Sequence, residues 1–325
     1  MSKKNQRFFI RTAVLLMLLM IAPIFIKNEY HIHILMMIFY NIIIASSLRL
    51  IMTLGLVSFS HATFVAIGGY ASALSVMRLG MSSWTGLIFA IIISVIVAFT
   101  FGFILLRLKG TYFLIATFAF GEIVLLIFTR WTNPFGGAAG LVNIPLPNPI
   151  VIPGLFSIIF KSKVSFYYLA LALMCILLLI AYRLDSGRLG AIWAGIKQAE
   201  QLAQSVGINT MIYKNIAFTI GCAMAAVAGT FQAHYYSHVN PTGFGIFTLV
   251  NYLIFVIVGG TNRFMGPIIG AAIMTLFSEI LSLYEHLAIY QTIVYGIALI
   301  LVVIFLPGGI VTLFDKVPSR KSKKK

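Results

Sequence analysis

The feature that most constrains this chain is a succession of apolar runs long enough to cross a lipid bilayer. A hydrocarbon core about 30 Å thick needs roughly 20 apolar residues in a helix. That ruler gives about ten spans, at 12–26, 34–54, 62–79, 84–106, 111–128, 164–182, 215–235, 246–260, 265–283 and 289–306. In lipid every backbone N–H and C=O must find a partner inside the protein, so runs of this kind fold as helices. The expected class is all-α, a polytopic transmembrane bundle forming one domain over 1–325. Composition agrees, with 61% hydrophobic and only 9% charged residues, where soluble domains carry roughly a quarter charged. The first run follows SKKNQR, as a signal peptide would, but no small-residue cleavage site comes after it, so it reads as an anchor.

The net charge of +16 is dispersed beside apolar segments, which points to membrane topology and away from nucleic acid. With a cytoplasmic amino terminus and ten alternating spans, the carboxyl terminus is cytoplasmic too. The basic residues then divide 17 to 5 in favour of the cytoplasm, with Arg49 inside a span left unassigned among the 23. The positive-inside rule expects this orientation and opposes the reverse. The basic tail 315–325, ending SRKSKKK, suits the anionic lipid of the inner leaflet. Trp84 and Trp131, near span ends, fit an aromatic belt. Cys175 and Cys222 lie in apolar runs without paired spacing and read as buried filler, and the histidines show no metal-site spacing.

Two connections are long. Residues 129–163, rich in Pro, Gly and Asn, read as an external loop lying partly on the membrane surface. Residues 183–214 fall on the cytoplasmic side. There Leu189, Ile192, Ile196, Ala199, Leu202, Ala203 and Val206 recur at helical spacing, opposite a face of Lys197, Glu200, Gln201 and Gln204, and Gly207 supplies a stop. The pattern predicts one amphipathic helix of about four turns, its apolar face on the bundle. It reads equally well as a partner-binding lever or as a solvated connector.

Polar residues at membrane depth mark the candidate path. GLVSFSHATF, residues 55–64, reads as a broken or re-entrant segment with Ser58, Ser60, His61 and Thr63 as polar contacts, or as a short turn between two spans. GGTNRFMGPIIG, residues 259–270, is a second interruption, and its Gly266 and Gly270 form a GxxxG pair suited to close helix packing. Both interruptions precede runs of small residues, which hints at two related halves. Glu122 and Glu279 fall inside spans, where a carboxylate costs about 2.5 to 3.5 kcal/mol, so each is expected to face the bundle interior, a partner or water.

The pattern I-K-x-x-E-x-x-A-x-x-x-G-I-N at Ile196, Lys197, Glu200, Ala203, Gly207, Ile208 and Asn209 resembles the cytoplasmic coupling loop of LivM-like permeases of bacterial ABC importers. GLVSFSHATFVAIGGYASAL (55–74), LRLKGTYFLIATFAFGEI (106–123), VGGTNRFMGPIIGAAI (258–273) and FLPGGI (305–310) are similar to that family in the same order. Ala194, Gly195 and Gln198 depart from its usual residues. The resemblance implies an ABC importer permease fold in the bacterial plasma (inner) membrane. It makes Ile196, Lys197, Glu200, Ala203, Gly207 and Asn209 the ATPase-coupling residues, and Ser58, Ser60, His61, Thr63 and Glu122 the translocation path. It also implies partners: two ATPase subunits, a related second permease or a second copy of this chain, and an extracytoplasmic solute-binding protein. The usual cargo is branched-chain amino acids, with urea and amides, nucleosides or flavins as alternatives in the same class. No GxxxxGK[ST] phosphate loop occurs, so ATP belongs to partner subunits, no cofactor is expected here, and the chain is not read as an enzyme. An ion-coupled carrier would need more ionisable groups at mid-membrane than two scattered acids.

Overall fold

The computed structural model describes residues 16–26, 28–152, 156–283, 291–306 and 308–314. The basic tail at 315–325 lies outside them, as do the first 15 residues. Helices α1 (Leu16–Phe25), α2 (Glu29–Met52), α3 (His61–Leu79), α4 (Ser83–Leu105) and α5 (Thr111–Arg130) form the first part of the chain. A single turn α6 (Thr132–Phe135) and short strands β1 (Leu141–Val142), β2 (Ile150–Ile152) and β3 (Phe156–Ile158) fill the long connection. Then come α7 (Lys163–Ser186), α8 (Arg188–Gln198), α9 (Glu200–Ser205), α10 (Thr210–Tyr236), strand β4 (His238–Val239), α11 (Ile246–Gly259), α12 (Met265–Ser282) and α13 (Gln291–Phe305). Among the described residues, eight helical segments are long and apolar enough to span a membrane. The two other expected spans coincide with the shorter helices α1 and α13, each bordering residues outside the described set. The protein is therefore all-α and multi-pass.

Side-chain caps set several helix starts. Asn28 accepts from the Tyr30 N–H (2.9 Å), Ser82 from Thr85 (3.2 Å) and Ser162 from Ser165 (3.2 Å), each satisfying an N–H that the first turn leaves open. The Asn28 cap starts α2 five residues before the expected 34, drawing Glu29, Tyr30 and His33 into the helix.

Small residues determine which helices touch. On α4 the buried positions are Ser83, Gly86, Ala90, Ser94, Ala98, Gly102 and Leu105, a stripe at helical spacing, while Ile88, Ile92, Ile96 and Ile104 point outward. That outward face suits lipid, since without a hydrophobic drive between helices it is small residues that allow close packing. The stripe is pinned by the Ser94 hydroxyl donating to the Cys222 carbonyl (3.1 Å) and the Asn215 amide donating to the Phe99 carbonyl (3.1 Å). At the α3–α10 crossing the backbones are in contact. A Cβ on Gly229 would fall 1.8 Å from the Val65 carbonyl oxygen, and one on Gly68 would fall 2.2 Å from that of Ala226. Likewise α11 and α12 touch at Gly259, Gly266 and Gly270.

The 129–163 connection folds over one end of the bundle. β1 pairs antiparallel with β4 (Leu141 opposite Val239), and β2 with β3 (Ile150 opposite Ile158). His234, buried near the end of α10, bridges the Pro145 carbonyl (2.7 Å) and the Ser72 hydroxyl (2.9 Å). Asn148 accepts from the Ser83 N–H (2.7 Å). Helices α8 and α9 occupy the opposite end.

Candidate functional site

The expected single helix at 188–206 is two. Ala199 sits at φ −155°, ψ 88°, ending α8 and preceding α9. Its carbonyl still accepts from the Ala203 N–H (3.0 Å), so the break redirects the chain without orphaning that group. Gly207 closes α9 at φ +83°, with Gly207 N–H donating to Gln204 O (2.9 Å) and Ile208 N–H to Ala203 O (3.1 Å). This is a Schellman end, whose left-handed residue favours glycine. Asn209 then caps α10, accepting from the Ile212 N–H (3.3 Å). In this structure Gly207 and Asn209 shape the turn, while Ile196 and Ala203 are buried anchors.

The strongest anchor is a residue the sequence reading passed over. Trp193 is fully buried against Leu50, Leu54 and Ala217, and its indole N–H donates to the Tyr213 carbonyl (3.0 Å). It lies three residues before Ile196 on the same face, and that spacing was the available signal. Lys197 donates to the Asn262 side chain (3.1 Å), joining α8 to the α11–α12 turn. Glu200 accepts from Lys214, and from the Thr210 hydroxyl (3.3 Å), joining α9 to α10. Burial alone would raise the Glu200 carboxyl pKa; the bonds from Lys214 and Thr210, with Lys109 nearby, outweigh it and hold that pKa below its ordinary value. The apolar face does not lie wholly on the bundle, however. Leu202 is 66% and Val206 69% exposed, because the break at Ala199 turns them outward.

Arg49, unassigned by topology, is buried at the same end. It meets Asp185 (3.1 Å), donates from Nε to the Thr261 carbonyl (3.1 Å) and lies 5.8 Å from the centre of the Phe264 ring. The ends of α2 and α7 and the α11–α12 turn are thus tied just where α8 begins.

Residues 53–60 form a partly buried, non-helical connection between α2 and α3, and α3 begins at His61. Ser58, Ser60, His61 and Thr63 are all enclosed by the chain itself. The Ser58 and Ser60 hydroxyls are 3.0 Å apart, and His61 Nε2 is 2.7 Å from the Ser47 hydroxyl, which donates to Ile44 O (2.8 Å). Thr63 alone of these four borders a small cleft shared with Glu122, which is exposed on α5.

The larger polar feature involves Glu279. A cleft of about 250 Å³ opens between α2, α10, α11 and α12, at the end opposite α8–α9. Glu279 stands at its rim and accepts from the Tyr30 hydroxyl (3.0 Å). Deeper, Tyr40 donates to Gln232 (2.7 Å) and lies 3.1 Å from the Tyr252 hydroxyl, while the Asn41 amide donates to Thr275 (2.9 Å). These residues come from four separate helices, so no local motif marked them.

Lipid-length helices packed through small residues, with one amphipathic element seated across their ends and a polar cleft at the other, define a multi-pass membrane permease. The family described as branched-chain amino acid transport system, permease component, matches residues 30–303, and the chain belongs to it. It is 29% identical to the high-affinity branched-chain amino acid transport system permease protein LivM of Salmonella typhimurium, over 95% of this chain and 76% of that protein. It is 27% identical to the permease LivH of the same organism, over 79% of this chain and 86% of the relative. A probable LivM permease of Methanocaldococcus jannaschii is 24% identical over 69% of this chain and 68% of its own. No solved structure matches the chain.

Proposed function

We propose that the chain is the membrane-spanning subunit of an ABC importer that moves leucine, isoleucine and valine across the bacterial plasma membrane. Two separate ATPase subunits hydrolyse ATP. A related permease or a second copy completes the pathway, and an extracytoplasmic binding protein delivers the cargo. The cargo assignment rests on the names of its LivM and LivH relatives, and kinship with both types supports a paired permease. The 17 to 5 distribution of basic residues supports placing α8–α9 in the cytoplasm.

The observation that carries this reading is the seating of α8–α9. Its inner side is locked by Trp193 and Ile196, by Lys197 to the α11–α12 turn and by Glu200 to α10, while Leu202 and Val206 project from the outer side. A lever needs this arrangement: an apolar grip for a partner and a stiff root in the bundle. An ATPase dimer closing on the grip would move the ends of α2, α10 and the α11–α12 turn together.

The test is reconstitution with the cognate ATPases and binding protein. Replacing Leu202 and Val206 together by Asp should reduce leucine uptake and leucine-stimulated ATP hydrolysis at least tenfold while the unfolding midpoint of the chain stays unchanged. Uptake at the normal rate in that variant rejects the reading.

A further inference from the structure

We infer that the cleft between α2, α10, α11 and α12 is a solute-binding vestibule that takes a small zwitterionic amino acid, its ammonium group at Glu279. The inference rests on the importer reading for its orientation, which places the cleft mouth outside the cell.

Position comes first. The cleft is bordered by the first half of α2, the last turns of α10 and α12, and the first turns of α11, all at one end of the bundle. From His33 to Asn41 along α2 it descends eight residues, about 12 Å at 1.5 Å per residue, and then stops at the bonded Tyr40, Gln232 and Tyr252. It is a blind pocket open at one end, the form expected of a permease awaiting cargo from that side.

The lining selects the ligand. Among the described residues that line it, Glu279 is the only carboxylate and no lysine or arginine occurs, so this wall favours a cation. At the rim of the cleft this carboxylate is placed to face water, a partner or a ligand. Beyond Tyr30, it has acceptor capacity to spare for an ammonium group. Asn251 and Gln232 carry neutral amide donors suited to the cargo's own carboxylate. Met37 and Phe255 supply apolar wall for an aliphatic side chain. A volume of about 250 Å³ is enough to hold one such molecule.

The test uses the assembled transporter in proteoliposomes. Cys175 and Cys222 are replaced by Ala, and Asn251→Cys is labelled from outside with a membrane-impermeant maleimide. Leucine and 3-methylbutylamine, which share the ammonium group, should each slow labelling at least fivefold. 3-Methylbutanoate, which lacks it, should not, and adding Glu279→Gln should abolish the protection. Met37→Cys provides a second reporter should Asn251→Cys fail to assemble. Absence of labelling at both positions, labelling indifferent to all three solutes, or equal protection by 3-methylbutanoate each overturns the inference. Leucine uptake by the unaltered transporter is measured in parallel. If it is absent, the importer reading fails; if it is present while the cleft gives any of those negative results, only the vestibule falls.

Discussion

The Arg49–Asp185 pair offers a direct measurement of how firmly the root of α8 is held. Unit charges about 4 Å apart attract by about 1 kcal/mol in water and about 4 kcal/mol at an effective dielectric constant near 20. The Arg49 side chain is only 6% exposed and that of Asp185 24%, so the pair lies between these limits and nearer the upper. Asp185→Asn removes the countercharge and leaves the buried guanidinium with neutral partners such as the Thr261 carbonyl and the Phe264 ring, which should cost about 3 kcal/mol, the low end for stripping one partner from a buried pair. Arg49→Met should cost about 1 to 2 kcal/mol, because Asp185 can turn to water. The double variant removes both charges and should cost no more than about 2 kcal/mol, leaving a coupling of about 2 kcal/mol in the cycle. Unfolding of the purified chain by SDS in mixed micelles measures each value. Costs that add within about 0.5 kcal/mol would show that the two residues do not hold one another and would refute the reasoning.

Other outcomes follow from the same contacts. Trp193→Ala removes a fully buried side chain worth about 3 to 5 kcal/mol, and should expose residues 187–209 to protease and stop leucine uptake while the spans remain folded. Gly207→Ala should weaken the α9 end by about 1 kcal/mol, read as faster amide exchange there, because its φ of +83° disfavours any Cβ. Gly229→Leu should prevent accumulation of the protein in the membrane, since even a Cβ would fall 1.8 Å from the Val65 oxygen. The Glu200 carboxyl is held below its ordinary pKa, so its bond to Lys214 stabilises the α9–α10 junction above the ordinary carboxylate range and loses that effect as pH falls through the depressed value. Proteolysis at α9 should therefore rise in acid, and Glu200→Gln should flatten that rise.

The spans were legible because lipid thickness acts on composition over about 20 residues, a signal that survives errors at the ends. Those errors had physical sources: the Asn28 cap recruits polar residues that a hydropathy window rejects. The break at Ala199 was hidden, since alanine is the best helix former and the apolar spacing continues through it. Just past the break Glu200 is bonded to Lys214 on α10, a tertiary contact that local spacing does not announce. The polar cluster at 58–63 was visible by residue type, but its partners were not: the Ser58 hydroxyl lies against Ser60, and His61 against Ser47 on α2. Glu279 was visible as an anomalous acid, whereas its neighbours Gln232 and Asn251 come from other helices and carry no signal in any local stretch.

The hairpin of α11 and α12 reaches from Asn262, held by Lys197, to Glu279 and Asn251 on the walls of the cleft. Its two rods touch backbone to backbone at Gly259, Gly266 and Gly270, which makes them one stiff blade rather than two hinged pieces. With 18 residues, α12 is about 27 Å long. A pivot of about 10° at the turn would swing its distant tip by about 5 Å, comparable to the width of an aliphatic side chain. A modest shove on one side of the membrane is therefore geometrically sufficient to squeeze a molecule lodged near the other.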